Sequence, residues 1–178
     1  HNKNITLFAQ YSMCAAGTYA AAGATSCTSC PTGYTSLANS DSISDCYLIT
    51  TAGKYVATAN NAQTTCAADG YCPGNVEVKY GSTGGRTVCA SPYNKSAAGS
   101  DARADCYLTT TAGNYIATAN SSSQTKCQSG YYCPSTTIYY GSTGGRSTCP
   151  SGYGSSAAGS DAANDCYKTL TATFVSNG

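Results

Sequence analysis

The chain of 178 residues has few of the side chains from which ordinary hydrophobic cores are built. It contains no tryptophan, and its Leu, Ile, Val and Phe residues together number 17. That share lies below the roughly 20% that an ordinary core needs. The other mark of a disordered chain, a high net charge, is also missing, because nine basic residues face eight acidic ones. We therefore expect cross-links, more than burial, to supply the stability of the fold.

The sequence also lacks the marks of several function classes. Its single histidine is His1, so no Ser–His or Cys–His pair can form inside the fold, and neither an enzyme nor a bound cofactor is expected. A net charge of +1 gives no reason to expect a nucleic-acid partner. No run of 18 apolar residues is present, so no membrane insertion is expected. No signal peptide is visible, which indicates a mature product or a piece of a longer protein.

Twelve cysteines are what the chain has in abundance. An even number at regular spacing predicts disulfides, and with them an extracellular or cell-surface location. Only Cys27 and Cys30 have the CxxC spacing, and no second such pair or internal histidine completes a zinc site. Because one disulfide contributes about 2–4 kcal/mol, six of them could hold a thinly packed chain together.

An internal repeat organises the sequence. Cys46, Cys106 and Cys166 are spaced by 60 residues each, and the text between them is nearly the same. A fixed period of this kind predicts a repeat architecture in which each unit contacts mainly its neighbours. The sequence accordingly divides into residues 1–12, a short cysteine-rich module at 13–46, repeats at 47–106 and 107–166, and a different ending at 167–178.

Spacing alone does not determine how the cysteines pair, but an alignment of the repeats on their last cysteines does favour one scheme. Three loops of similar length then correspond, and each remaining cysteine has one near neighbour. We predict the pairs Cys14–Cys27, Cys30–Cys46, Cys66–Cys72, Cys89–Cys106, Cys127–Cys133 and Cys149–Cys166.

Regular secondary structure is expected only in short pieces. Residues 55–58, 76–80, 115–118 and 136–140 are β-branched or aromatic and lie between glycine-rich turns, which predicts short strands. Residues 100–105 and 160–165 begin with Ser and Asp before alanines, which predicts a single helical turn in each. The abundant serines are expected in solvated loops. The fold class is therefore small and disulfide-rich, mostly irregular with short antiparallel β ladders, and arranged as an elongated tandem-repeat rod.

Two kinds of polar motif are candidate ligand sites. The identical GSTGGR loops, Gly81 to Arg86 and Gly141 to Arg146, could cradle an anion, but no Lys-Ser/Thr pair or helix follows, so turn geometry is favoured. Carboxylates four residues apart could join a calcium site, which needs six to eight oxygens, but capping of the local turn is favoured. These carboxylates are Asp101 with Asp105 and Asp161 with Asp165.

Aromatic and sequon residues give two further candidates. Sixteen tyrosines are present, and they serve either as packing material or as a carbohydrate-binding platform. The residues assigned to that platform are Tyr131, Tyr132, Tyr139 and Tyr140. Glycosylation sequons begin at Asn4, Asn94 and Asn120, and they matter only in a host that glycosylates.

The cysteine pattern of residues 14–46 carries a resemblance. Its order C-x-x-G-T-Y, S-C-x-x-C-P-x-G-Y-x-S and D-C is similar to the cysteine-rich modules of ephrin-receptor-like and tumour-necrosis-factor-receptor-like extracellular regions. That resemblance implies small, nearly coreless, disulfide-stapled modules that stack into rods. The two later repeats match in part, since they lack a cysteine at the position of Cys14 and gain Cys72 and Cys133.

The two ends resemble pieces of another family. The run from Ile5 to Tyr11 is similar to the closing strand of the internalin B-repeat (Listeria–Bacteroides repeat), with Phe8 for its usual Tyr and Tyr11 for its usual Trp. The ending TATFVSNG resembles the opening strand of that repeat, and it predicts a strand from Leu170 to Val175. The resemblance implies a bacterial surface protein in which each end pairs with a flanking domain or a neighbouring copy.

These observations favour a structural role. We expect a stalk or filament segment of an extracellular bacterial surface protein, rigidified by local disulfides. The alternative is an adhesion module that binds glycan or protein through exposed tyrosines and the glycine-rich loops.

Overall fold

The computed structural model describes residues 13–173. Within that range the chain forms short antiparallel strand pairs and three 3₁₀ turns, and it contains no α-helix. The 3₁₀ turns are Ile43–Asp45, Arg103–Asp105 and Ala163–Asp165. The predicted strand from Ile5 to Tyr11, together with His1 and Asn4, lies outside the described residues.

The described residues form two compact units. The first comprises residues 13–66 and 72–86, and the second comprises residues 67–71 and 87–173. The strands of the first unit are β1 (Thr18–Tyr19), β2 (Thr28–Ser29), β3 (Tyr47–Ile49), β4 (Lys54–Tyr55), β5 (Thr64–Thr65) and β7 (Glu77–Lys79). They pair as β1 with β2, β3 with β7 and β4 with β5.

The second unit repeats the same kind of pairing. Its strands are β6 (Gly70–Tyr71), β8 (Thr87–Val88), β9 (Tyr107–Thr109), β10 (Asn114–Tyr115), β11 (Thr125–Lys126), β12 (Tyr131–Tyr132), β13 (Thr137–Tyr139) and β14 (Ser147–Thr148). They pair as β6 with β8, β9 with β13, β10 with β11 and β12 with β14. The β9–β13 pair lies 60 residues after the β3–β7 pair, so the sequence period recurs in the strand register.

The predicted strands are present but shorter than expected. Residues 55–58 and 115–118 contribute only the ends of β4 and β10, after which Val56 and Ile116 bridge to Gly84 and Gly144. Residues 76–80 and 136–140 contain β7 and β13. Sequence reasoning missed their partners β3 and β9, whose three residues directly follow a cysteine. Leu170 was predicted to begin a strand, but the described residues 170–173 form none and Leu170 is exposed.

The six disulfides of the structure are the six pairs predicted from the alignment of the repeats. Their sequence separations are 13, 16, 6, 17, 6 and 17 residues. All are local, so each closes a short loop and leaves distant parts of the chain to be joined by strand pairing and side-chain packing. The cross-links that replace a large core are therefore present throughout the described residues.

Small apolar clusters complete each unit. In the first unit Leu48, Val56 and Val78 pack together with the partly buried Tyr34 and Val76. In the second unit a larger cluster contains half-cystines as well as aliphatic and aromatic side chains. Its buried members are Cys89, Tyr93, Cys106, Leu108, Ile116 and Ile138, and Tyr71 and Tyr140 pack against it.

The expectation that serines mark solvated loops was wrong for five buried serines, three of which occupy equivalent positions. Ser36, Ser96 and Ser156 are buried, with 2%, 4% and 3% of their surface exposed. Each donates its hydroxyl hydrogen to a backbone carbonyl, at 2.8 Å to Thr18, 2.6 Å to Gly70 and 2.6 Å to Tyr131. A buried hydroxyl is tolerated when it is hydrogen-bonded, and here it ties one loop to a strand.

Candidate functional site

At three equivalent places, a tyrosine in a loop closed by a disulfide of 16 or 17 residues lies near the residue that directly follows an antiparallel β bridge. We call them the first, second and third tyrosine faces. Their residues are Tyr34 with Leu48, Tyr93 with Leu108, and Tyr153 with Lys168. In each, the loop is joined to the following segment by an antiparallel bridge. The bridges are Thr35 to Tyr47, Lys95 to Tyr107 and Ser155 to Tyr167.

The first tyrosine face is covered by β7. The ring of Tyr80 meets that of Tyr34 edge to face, with centroids 5.2 Å apart and an interplanar angle of 84°. Val78 lies opposite Leu48 in the strand register and is buried with it. The hydroxyl of Tyr34 donates to the carbonyl of Asn61 at 3.2 Å. Burial, with a smaller contribution from Tyr80, raises the pKa of Tyr34 above its ordinary value.

The second tyrosine face is covered by β13 in the same manner. The rings of Tyr93 and Tyr140 are 5.5 Å apart at 83°, and Ile138 lies opposite Leu108. Tyr93 is only 2% exposed, and its hydroxyl is buried without a hydrogen-bond partner among the described residues. Burial raises the pKa of Tyr93 above its ordinary value, and Tyr140 adds to the shift. The guanidinium of Arg103 lies 4.1 Å from the centroid of the Tyr140 ring.

The third tyrosine face has a lysine in place of the leucine, and the lysine side chain lies over its tyrosine ring. Lys168 occupies the position of Leu48 and Leu108, and its Nζ lies 5.1 Å from the centroid of the Tyr153 ring. Tyr153 and Tyr167 remain 47% and 52% exposed. Among residues 13–173, no strand pairs with the segment after Tyr167 and no second aromatic ring stacks on Tyr153.

The four tyrosines assigned to a carbohydrate platform belong to separate clusters. Tyr131 and Tyr132 form β12, where Tyr131 packs on the Cys127–Cys133 disulfide and its ring lies 4.3 Å from the guanidinium of Arg146. Tyr140 covers the second tyrosine face, whereas Tyr139 is half-exposed and its ring centroid lies 5.6 Å from that of Tyr107. Tyr131 and Tyr140 therefore pack against buried clusters, and binding by any of the four tyrosines remains a prediction.

The aspartates perform the capping role that the sequence favoured over calcium. Oδ2 of Asp105 accepts hydrogen bonds from the backbone amides of Asp101 and Ala102, both at 3.0 Å. Asp165 does the same one repeat later, at 2.9 and 3.1 Å. In residues 13–173, no three His, Cys, Asp or Glu side chains are grouped as metal ligands would be.

The GSTGGR loops are turns anchored by an asparagine. The backbone amide of Gly81 donates to Oδ1 of Asn60 at 2.6 Å, and that of Gly141 donates to Oδ1 of Asn120 at 2.6 Å. Gly81 and Gly141 both have φ of +87°, which lies in the left-handed region that favours glycine. The sequence missed these anchors, although an asparagine 21 residues before each loop was a usable signal.

The second unit also contains a polar cavity of about 480 Å³. Amide and hydroxyl side chains dominate its lining, together with Pro92 and Leu108. The sequon residues Asn94 and Asn120 are both exposed, and Asn94 contributes to the lining. Ser96, the third residue of the first of these sequons, is buried and bonded to Gly70.

Comparison with protein-family models, with curated proteins and with solved structures returned no match to this chain. The many disulfides fit a secreted or extracellular protein. In the described part of the chain, no helix has the length and apolar character needed to cross a bilayer.

Proposed function

We propose that this chain is a structural stalk or filament segment of an extracellular bacterial surface protein. The observation that carries the proposal is the repeated tyrosine face. The Tyr34–Tyr80 pair joins module 13–46 to repeat 47–106, and the Tyr93–Tyr140 pair joins repeat 47–106 to repeat 107–166. Packing of each module on its sequence neighbour is the arrangement by which repeat proteins extend in one dimension.

The disulfides suit a segment that bears load. Each closes a loop of 6 to 17 residues, so a pulled chain cannot release the length held inside those loops. The resemblances of residues 14–46 to stacking extracellular modules, and of both ends to internalin B-repeats, support a bacterial surface setting. In that setting the ends, Ile5 to Tyr11 and Leu170 to Val175, pair with flanking domains or neighbouring copies.

Single-molecule stretching of the full chain tests the proposal. Oxidised protein should extend only by the residues outside the disulfide loops, and reductant should add about 3.4 Å for each residue released. A variant lacking only the Cys66–Cys72 bridge should gain much less than one lacking Cys89–Cys106, because their loops span 6 and 17 residues. Extension that is the same with and without reductant would contradict a mechanical role.

A second candidate function, glycan binding, is favoured by the cavity of the second unit. Its volume of about 480 Å³ lies within the range of small-ligand sites, and its amide and hydroxyl lining matches the hydrogen-bonding groups of sugars. A glycan array distinguishes the two roles. Binding that is lost in Asn114→Ala and kept in Tyr131→Ala would place adhesion at this cavity, since Asn114 lines it and Tyr131 does not.

A further inference from the structure

The third tyrosine face differs from the other two at the position where both bury a leucine. Leu48 and Leu108 are each 5% exposed, and each lies opposite a β-branched residue of the covering strand, Val78 or Ile138. The equivalent residue in the third face is Lys168, whose side chain is exposed. A lysine at this position cannot form the same contact without burying its ammonium group among apolar side chains, which is strongly unfavourable.

Lys168 also covers the surface on which a strand of this type would pack. In the first two faces the tyrosine that directly follows the covering strand, Tyr80 or Tyr140, meets the tyrosine of the loop edge to face. In the third face, the ammonium group of Lys168 lies over the ring of Tyr153 instead. A cation over an aromatic ring is a favourable contact, worth about 0.5–1 kcal/mol at an exposed site.

We infer that Lys168 closes the third tyrosine face to a further strand of the β7 or β13 type. The occupant of this face is the lysine side chain itself. A lysine on an exposed edge is one of the features by which proteins prevent the addition of other strands. Lys168 therefore determines whether a strand of this type can pack on the third tyrosine face.

The reciprocal substitution in the second face provides the first test. In the full chain, Leu108→Lys should lower the hydrogen-exchange protection of the Tyr140 amide, which donates to the carbonyl of Cys106 at 2.7 Å, by at least tenfold. Leu108→Met is the matched control, because it keeps an uncharged side chain of similar size. Equal protection in the two variants would overturn the inference.

The second test restores the leucine to the third face. A synthetic peptide with the sequence of residues 136–142, TTIYYGS, is titrated against the full chain and its Lys168→Leu variant, with backbone chemical shifts as the readout. The variant should bind the peptide at least tenfold more tightly than the natural chain does, with shifts centred on Tyr153 and Tyr167. A natural chain that binds as tightly as the variant, or a variant with no gain in affinity, would overturn the inference.

Discussion

The first and second tyrosine faces share one geometry but differ in how they treat the polar groups. Their ring pairs are 5.2 and 5.5 Å apart at nearly the same angle. Tyr34 keeps its hydroxyl bonded to the carbonyl of Asn61, whereas Tyr93 is buried with no described partner for its hydroxyl. Ring packing is therefore common to the two faces, whereas the surroundings of the tyrosine hydroxyl differ between them.

Removal of the disulfide behind each face should have the largest effect. Loops of 16 and 17 residues predict a loss of about 3 kcal/mol for either bridge from chain entropy alone. Replacement of Cys89 and Cys106 by alanine should cost more than replacement of Cys30 and Cys46, because both sulfurs of the former pair belong to the buried cluster. Urea unfolding of the two double variants measures the difference. An equal loss in both would show that burial of the half-cystines adds nothing.

Replacement of the loop tyrosines by alanine should have the next largest effect on stability, and this effect should differ between the two faces. Tyr93→Ala removes a ring that is 2% exposed and should lower the free energy of unfolding by about 3 kcal/mol, the low end of the range for a buried aromatic side chain. Tyr34→Ala should cost about 2 kcal/mol, since Tyr34 is only partly buried. Thermal unfolding followed by circular dichroism reports both values. A larger loss for Tyr34→Ala would contradict the ranking of the two faces.

Removal of the tyrosine hydroxyl alone should destabilise the first face but not the second. Tyr34→Phe loses a hydrogen bond and should destabilise by about 0.5–1.5 kcal/mol. Tyr93→Phe removes a buried hydroxyl without a described partner, so it should leave stability unchanged or raise it by about 1 kcal/mol. Urea titration at neutral pH gives the sign. Destabilisation in both variants would indicate that the Tyr93 hydroxyl has a favourable contact.

The raised pKa values of the same tyrosines predict a loss of stability in alkali. Because the folded pKa of Tyr93 lies above its ordinary value of 10.0, its stabilising contribution is complete below pH 10 and is lost as the pH rises further. Tyr34 acts in the same direction. Tyr93→Phe cannot ionise at this position. Between pH 9 and pH 11, about one unit either side of the ordinary pKa, it should therefore lose less stability than the natural chain does. A variant that unfolds as readily as the natural chain over this range would contradict the assignment.

The smallest expected effect concerns Arg103, a cation at the second face whose counterpart at the first face is uncharged. Arg103 lies over Tyr140, whereas its counterpart in the first unit is Ile43. Arg103→Gln should lower stability by about 0.5–1 kcal/mol, the usual value of an exposed cation–π contact. Arg103→Lys is the control that keeps the charge and should retain part of this contact. Identical stability of the Gln variant and the natural chain would show that the contact is energetically neutral.

The sequence by itself determined the cross-linking of this protein. The 60-residue period places equivalent cysteines in equivalent loops, and loop length then leaves one local partner for each cysteine. It also determined the aspartate-capped turns and the glycine-rich turns, because both depend on residues within a few positions of each other. Contacts can be predicted from a sequence when the interacting groups are close along the chain.

Only the tertiary structure decided which residues meet across the repeats. Tyr34 and Tyr80 are 46 positions apart, and Ser96 reaches a carbonyl 26 positions away, so neither contact follows from a local pattern. The sequence could not show that a serine would be buried, because a hydroxyl is tolerated inside only where a carbonyl happens to face it. The meaning of Lys168 became visible for the same reason, once Leu48 and Leu108 were seen buried against the strands that cover them.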